Sequence, residues 1–340
     1  MSAIVECVPN FSEGRDAAII EAIGAAVRTT PGVKLLSVEP DKDYNRTVVT
    51  FIGSPEEVVQ AAFAATRVAA ERIDMTKHSG EHPRIGATDV VPFVPVSGID
   101  MEECVQLARS YGRRVGDELK IPVYLYEEAA TRPERRNLAS VRKGEYEGLP
   151  AKLSDPLWKP DFGPAEFSAR SGATVTGARV FLIAYNVNLN TNDQKIAHEI
   201  ALRIRESGRV QKDEQGNAVV DALGRKVLVP GTLQSVKAMG VLLEAQNIAQ
   251  VSINLVNFPL TPPHIAFEEV KRQAASLGVE VTGSEIVGLT PKEALVMAGR
   301  FYAPGIADES TLIATAIERL GLSQLDRFDT SRKIIEYQLT

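Results

Sequence analysis

One succession of segments constrains this chain more than any other feature: strand, helix, two strands, helix, strand, met once in each half. In the first half "AIVECVPN" is a short apolar run. A helical pattern follows, with Ile19, Ile20, Ile23 and Val27 on one face, stopped by Pro31-Gly32. "VKLLSVE" and "RTVVTFIG" alternate as strands do. Ser54-Pro55 then opens a helix over 55–72, with serine at the N-cap and proline at the first helical position. "ATDVVPFVPV" is apolar again, and a helix from Met101 leads to "IPVYLYEEA". The second half begins with the strand "ARVFLIAYNVNL" and the helix "TNDQKIAHEIALRIRES", for which Thr191 or Asn192 is the expected cap. An inserted hairpin near 210–230, two strands in "VKAMGVLLEAQNIAQVSINLVNF", the helix "PPHIAFEEVKRQAASLG" and the strand "VEVTGSEIVGL" complete it. Two α+β units of ferredoxin-like, βαββαβ type are the architecture these patterns predict. Residues 128–172 break the rhythm. Rich in Pro, Gly and Arg, they read as a functional loop or linker, with the domain change just beyond, near residue 180.

Composition narrows the partners. A chain of 340 residues is long enough for roughly two domains at about 150 residues each. Its formal net charge of −6 gives no basic surface of the kind nucleic acid requires. No stretch approaches the ~20 apolar residues of a membrane span, and the N-terminus does not read as a signal peptide. Cys7 and Cys104 form no CxxC pair and no disulfide framework; both read as buried side chains. The expected setting is the cytoplasm, without membrane or nucleic-acid partners.

Two of the four histidines fall in "HSGEH", residues 78–82, which has the H-x-x-E-H form of some zinc peptidases. A helical zinc site would put His78 and His82 on one face, one turn apart. Gly80 stands inside the motif and Pro83 directly after it, and both disfavour helix. The stretch therefore reads as a loop, and no metal is expected. Two histidines, Glu81 and Arg84 on such a loop suit proton transfer and anion binding instead. A second polar cluster, "CVPNFSEGRD", offers Asn10, Ser12, Glu13 and Arg15 after the first strand, with Ser12 also able to cap the next helix. A third, "FGPAEFSARSGATVTGAR", has three glycines that permit close backbone approach to a flat ligand, yet neither phosphate-loop nor dinucleotide glycine spacing.

Taken together, "VECVPNFSEGR", "DMTKHSGEHPRIGATDVVPFVPV", "FGPAEFSARSGATVTGARVFLIAYNVNL" and the closing "RKIIEYQL" resemble the formiminotransferase part of formiminotransferase–cyclodeaminase and its free-standing microbial relatives. The likeness runs from residue 1 to about 340. The chain stops where the cyclodeaminase part of such proteins would begin, so that second activity is not expected. The resemblance implies transfer of a formimino group from N-formimino-L-glutamate to tetrahydrofolate, a cosubstrate, in histidine breakdown. It implies subdomains over 1–180 and 181–326 with a ligand groove between them, a tail over 327–340, and a homodimer. The family's catalytic histidine falls on His82. Its folate-binding segment falls on Gly163, Pro164, Ala165, Glu166, Phe167, Ser168, Ala169, Arg170, Ser171 and Gly172. Glu39 stands where some relatives carry aspartate, and Ser171 where some carry an aromatic residue that could stack on a pterin.

Group transfer at an amidine carbon needs a base for N5 of the folate and an acid for the departing glutamate nitrogen. One imidazole between the two nitrogens can serve both, which suits His82, with an ionisation near neutrality. Glu81, Glu39 or Asp41 are candidates to orient its ring. Arg46 and Arg84 are candidates for substrate carboxylates. Asn10 and Glu39 complete the expected substrate contacts. The same residues also allow another donor, N-formylglutamate or formiminoglycine, or a folate-binding protein without turnover.

Overall fold

The computed structural model describes residues 3–338 except 43, 81, 214, 222, 244 and 245. The chain divides into two compact units, the first ending at Arg179 and the second beginning at Val180.

In the first unit β1 (Ile4–Cys7) and β2 (Asn10–Phe11) are successive parts of one line, interrupted at Pro9. Proline has no N–H to offer a ladder, and both parts pair with the same two neighbours. Helix α1 (Ala17–Arg28) leads to the hairpin of β3 (Val33–Asp41) and β4 (Arg46–Gly53), and α2 (Pro55–Arg72) leads to β5 (Thr88–Ser97). Next come α3 (Met101–Arg114), β6 (Val123–Glu127), the short helices α4 (Leu138–Arg142) and α5 (Leu149–Ser154), and β7 (Thr174–Ala178). Across the sheet β3 is followed by β4, the β1/β2 line, β5, β7 and β6. Pairing is antiparallel up to β5, while β7 runs parallel to both β5 and β6.

Alternation along the strands sends side chains to two faces. Val49 and Phe51 of β4, Val91 and Phe93 of β5, and Val123 and Leu125 of β6 join the core beneath α1, α2 and α3. Val90, Tyr124 and Tyr126, one residue out of step, join Val141 and Leu149 in a second core on the opposite face. Residues 128–172, read as a functional loop or linker, therefore form a folded layer. Buried Arg135 ties the layer together by donating to Asp161 (2.7 Å) and to the carbonyls of Leu157 (3.0 Å) and Lys159 (2.7 Å). Five guanidinium donors let one side chain organise a stretch with little regular backbone bonding.

The second unit runs through β8 (Ile183–Leu189), α6 (Gln194–Ile204), the small pair β9 (Arg209–Val210) and β10 (Leu228–Val229), β11 (Val236–Leu243) and β12 (Ile248–Leu255). It continues with α7 (Pro263–Ser276), β13 (Val281–Val287), α8 (Lys292–Tyr302), α9 (Glu309–Arg319) and α10 (Thr330–Lys333). Its antiparallel sheet has the order β11-β12-β8-β13. Counting the β1/β2 line as first strand, β3, β4 and β5 follow the same plan: second, third, first, fourth. The expected tail is part of this unit. Ile334 and Ile335 are buried, and the Ile335 amide donates to the Thr290 carbonyl (3.1 Å).

The helix starts differ from expectation. Asp16 caps α1 and Asp193 caps α6, each accepting from amides of the first turn. Ser12 instead donates to the Gly86 carbonyl (2.7 Å). Ser54 holds the N-cap position of α2, but its side chain makes no cap hydrogen bond. Cys7 and Cys104 are free and buried, as their apolar surroundings indicated, and burial pushes both thiols up, Cys104 to about 12. Among the described residues no helix is long and apolar enough to cross a membrane.

Candidate functional site

The candidate site lies on the sheet face away from α1–α3. On β4, Thr47, Val49 and Phe51 are buried whereas Arg46, Val48 and Thr50 are only half-buried. Cross-strand register sets Glu39 and Asn10 on either side of Val48, and Asp41 beside Arg46. Directly paired residues point the same way, so Asn10, Glu39, Asp41 and Arg46 share this face. The loop between Lys77 and β5 carries His82 to it. Arg46 Nη1 lies 2.9 Å from His82 Nε2 and 3.0 Å from Asn10 Oδ1. Asn10 is held in turn by donating to the Val8 carbonyl (3.1 Å). The Tyr44 ring lies 5.9 Å from the His82 ring and 5.8 Å from the Arg46 guanidinium carbon. Glu39 is exposed. Glu81 lies outside the described residues.

A guanidinium can only donate, so His82 Nε2 is the acceptor and Nδ1 carries the proton in the neutral ring. Burial lowers the His82 pKa most, followed by the positive charges of Arg46 and Arg142, to about 4; Asp41 opposes the shift. The ionisation near neutrality that a solvated imidazole would have is thus absent from the free protein. Burial and Arg142 also lower Arg46. Arg142 reaches the site from α4 and pairs with Asp89 of β5. Asp89 is buried, accepts from the Ile85 amide (3.0 Å), and has its pKa raised by that burial.

The first histidine of the loop is a fastener. Arg84 Nε donates to His78 Nδ1 (3.3 Å), so Nε2 holds the proton and donates to the Asn45 carbonyl (2.9 Å). Burial is the main cause of its lowered pKa. Asn45, at φ 47°, accepts from the Gly14 amide (2.9 Å) and donates to the Ser79 carbonyl (2.9 Å). These bonds fix the β3–β4 turn against the histidine loop and so place Arg46 beside His82. Arg84 itself is buried, with its guanidinium on Glu145 (2.9 Å) and Glu147 (2.7 Å). Its donors are committed inside the protein, which differs from the carboxylate-binding role its residue type suggested. No group of three or more His, Cys, Asp or Glu converges on a metal-like position among the described residues.

The segment 163–172 is laced to the same loop by backbone bonds. The Ala87 amide donates to the Ser171 carbonyl (2.9 Å), Ala173 to Ile85 (2.9 Å) and Met75 to Arg170 (3.0 Å). Gly86 and Gly172 face each other across an isolated bridge. A Cβ on Gly86 would stand 2.1 Å from the Ala173 carbonyl oxygen, and one on Gly172, at φ +66°, 2.2 Å from that of Ile85. Ala165, Glu166, Phe167, Ala169 and Arg170 remain exposed, while Ser171 and Gly172 are buried in the junction. Phe167 packs against Tyr146 with centroids 5.4 Å apart, and the Tyr146 hydroxyl donates to the Ala169 carbonyl (2.6 Å).

The family pattern described as "Formiminotransferase domain, N-terminal subdomain" matches residues 4–179, and "Formiminotransferase domain" matches residues 184–340. The chain belongs to the formiminotransferase family. It is 50% identical over 344 residues to the formimidoyltransferase-cyclodeaminase of Dictyostelium discoideum, covering 100% of this chain and 61% of that protein. The chain thus spans about three-fifths of that relative's length. It is 45% identical over 302 residues to the glutamate formimidoyltransferase of Streptococcus pyogenes serotype M1, covering 89% of this chain and 94% of that protein. Against the glutamate formimidoyltransferase of Thermoplasma acidophilum the identity is 47% over 302 residues, covering 88% and 92%.

Three residues of this candidate site went unread in the sequence: Tyr44, Asp89 and Arg142. Asp89 had a signal, a lone carboxylate opening the apolar run "DVVPFVPV", since a buried charge needs a partner. Arg142 had none, being one of several arginines in an aperiodic stretch.

Proposed function

We propose that this chain transfers the formimino group from N-formimino-L-glutamate to tetrahydrofolate, giving 5-formiminotetrahydrofolate and L-glutamate, in histidine breakdown and one-carbon metabolism. The observation that carries the reading is the backbone lacing between the His82 loop and residues 163–172. It holds a candidate base next to a candidate folate segment some 80 residues away in sequence. Relatives named glutamate formimidoyltransferase support a formimidoyl transfer that involves glutamate.

In this mechanism N5 of tetrahydrofolate attacks the formimino carbon. His82 Nε2 takes the N5 proton as the tetrahedral intermediate forms, then returns it to the glutamate nitrogen as that bond breaks. His82 is neutral at pH 7, as a base must be. Alignment of the two substrates supplies much of the acceleration. Exposed Phe167 offers the folate an aromatic surface in a segment where Ser171 offers none. Arg46 is the donor-carboxylate contact; its Nη1 donates to Asn10 Oδ1 as well as to His82 Nε2. Glu39 borders the same face. The step needs no metal. Two ferredoxin-like units fit the strand order repeated in both sheets. A cytoplasmic homodimer is the assembly this reading carries, resting on the family resemblance alone and open to sedimentation measurement.

The test mixes the protein with tetrahydrofolate and formiminoglutamate, and follows folate-amidine absorbance and glutamate release together. Formylglutamate and formiminoglycine serve as alternative donors. Tetrahydrofolate binding without product from any donor would refute the reading.

A further inference from the structure

Arg46 is charged and half-buried, yet its two partners, Asn10 Oδ1 and His82 Nε2, are neutral acceptors. Its Nε is buried with no hydrogen-bond partner. The neighbouring arginines are compensated: Arg84 by Glu145 and Glu147, Arg142 by Asp89. The carboxylates of Asp41 and Asp89 act on Arg46 by charge, against its burial and Arg142, while both acceptors of its hydrogen bonds are neutral. A guanidinium so placed suits an incoming carboxylate, which can take two parallel hydrogen bonds.

The same contact blocks the reaction. The Nε2 lone pair that must receive a proton is already accepting from Arg46 Nη1 at 2.9 Å. His82 cannot serve as a base at that nitrogen until the guanidinium moves. We infer that Arg46 determines specificity by reading a carboxylate of the donor, and that in binding it the guanidinium leaves His82 Nε2, uncovering the base only when a carboxylate-bearing donor is present. The inference rests on the transfer reading above and deepens it.

The electrostatics fit this geometry. The groups acting on His82 are Arg46 from β4, Arg142 from α4 and Asp41 from β3. Tyr44 lies beside it in the turn, and Asp89 of β5 pairs with Arg142. A carboxylate on Arg46 cancels one of the two cations that oppose protonation. Burial remains, so the His82 pKa should rise from about 4 part of the way towards its ordinary 6.5. By linkage a ligand that raises this pKa is bound with proton uptake. Its affinity should therefore increase as pH falls through the interval between the free and complexed values.

The experiment is an NMR titration of histidine-labelled protein, free and with L-glutamate as probe, with His82 assigned through His82→Gln. Glutamate should move the His82 midpoint up by one unit or more. In Arg46→Gln the free midpoint should already be raised, and glutamate should shift it little. An unchanged wild-type midpoint at every glutamate concentration overturns the inference, as does an equal shift in Arg46→Gln or a free midpoint in that variant still near the wild-type value. If Arg46→Gln fails to fold, the wild-type arm still decides. The titration requires no turnover. A glutamate-induced shift without formimino transfer would refute the proposed activity alone; transfer without the shift would refute the role of Arg46 alone.

Discussion

The contact between Gly86 and Gly172 is where the proposed catalytic and folate segments can be separated with one methyl group. In Gly86→Ala the new Cβ would meet the Ala173 carbonyl oxygen at 2.1 Å, the Ser171 carbonyl oxygen at 2.6 Å and the Ala173 amide nitrogen at 2.8 Å. All three are backbone atoms, so no side chain can turn aside. The two segments would have to part by about 1 Å, an overpacking that by itself costs about 1–3 kcal/mol. Parting strains the Ala87–Ser171 and Ala173–Ile85 hydrogen bonds, both 2.9 Å, at about 1 kcal/mol each. The expected loss of stability is therefore about 3–5 kcal/mol, read by urea unfolding. A displacement of this size between substrate and base should also lower kcat by about 10²-fold. Gly216→Ala is the control. Its φ is +85° with nothing within 4 Å of the new Cβ, so it should cost about 1–2 kcal/mol of local strain and leave tetrahydrofolate affinity intact. A Gly86→Ala protein with wild-type folate affinity and kcat would refute the claim that these segments work as one piece.

His82→Ala should lower kcat by about 10²–10⁴-fold with little change in tetrahydrofolate binding, measured by steady-state kinetics and direct titration. Because the His82 pKa is depressed, kcat/KM of the wild type should stay level through pH 7 and fall only as pH drops through about 4, where the free imidazole becomes protonated. An acid limb centred near 6.5 would contradict the burial and the Arg46 contact. Arg84→Met should lower stability by about 1.5–3 kcal/mol, through loss of its charged hydrogen bonds, and leave the donor KM unchanged; a raised KM with intact stability would restore it as a carboxylate anchor. Asp89→Asn strands the Arg142 guanidinium and should destabilise by about 3–5 kcal/mol in thermal or urea unfolding, as removal of one partner from a buried pair does.

How much was legible depended on periodicity. The helix over 55–72 was readable because Pro55 fixes its first turn and the apolar spacing holds to Arg72. The two-faced character of "RTVVTFIG" was readable because a strand alternates strictly, with Arg46 and Val48 on one side and Val49 and Phe51 on the other. The caps were not. Ser12, Thr191 and Asn192 are all competent cap residues, and Asp16 and Asp193 hold the positions because each lies where its carboxylate reaches the first-turn amides. Residues 128–172 resisted for a different reason. Their order comes from Arg135 gathering Asp161 and two carbonyls, long-range bonds that leave no repeat in sequence. Helices α8 and α9 were passed over although their buried faces are amphipathic.

The chemistry of the site follows the same division. Sheet register aligns Asn10, Glu39, Asp41 and Arg46 on one face, residues that the sequence offered only as separate candidates. What they do there depends on parts without period. The His78–Asn45 bond sets where Arg46 meets the histidine loop. Arg142 arrives from a five-residue helix and finds Asp89, 53 positions earlier. The proposed base changes character as a result. An imidazole that residue type alone would place near neutrality is held neutral far below it, its lone pair covered by a guanidinium. A base in that condition is protected from protonation and from idle proton exchange, but it is also weak, since a nitrogen with a pKa near 4 draws little on a proton. Its strength must come from the bound state, through whatever anion displaces Arg46. The acid limb of kcat, which reports the complex, should for that reason lie above the acid limb of kcat/KM, which reports the free protein. Coincident limbs would mean that His82 has the same surroundings with and without substrate, and that Arg46 never leaves it.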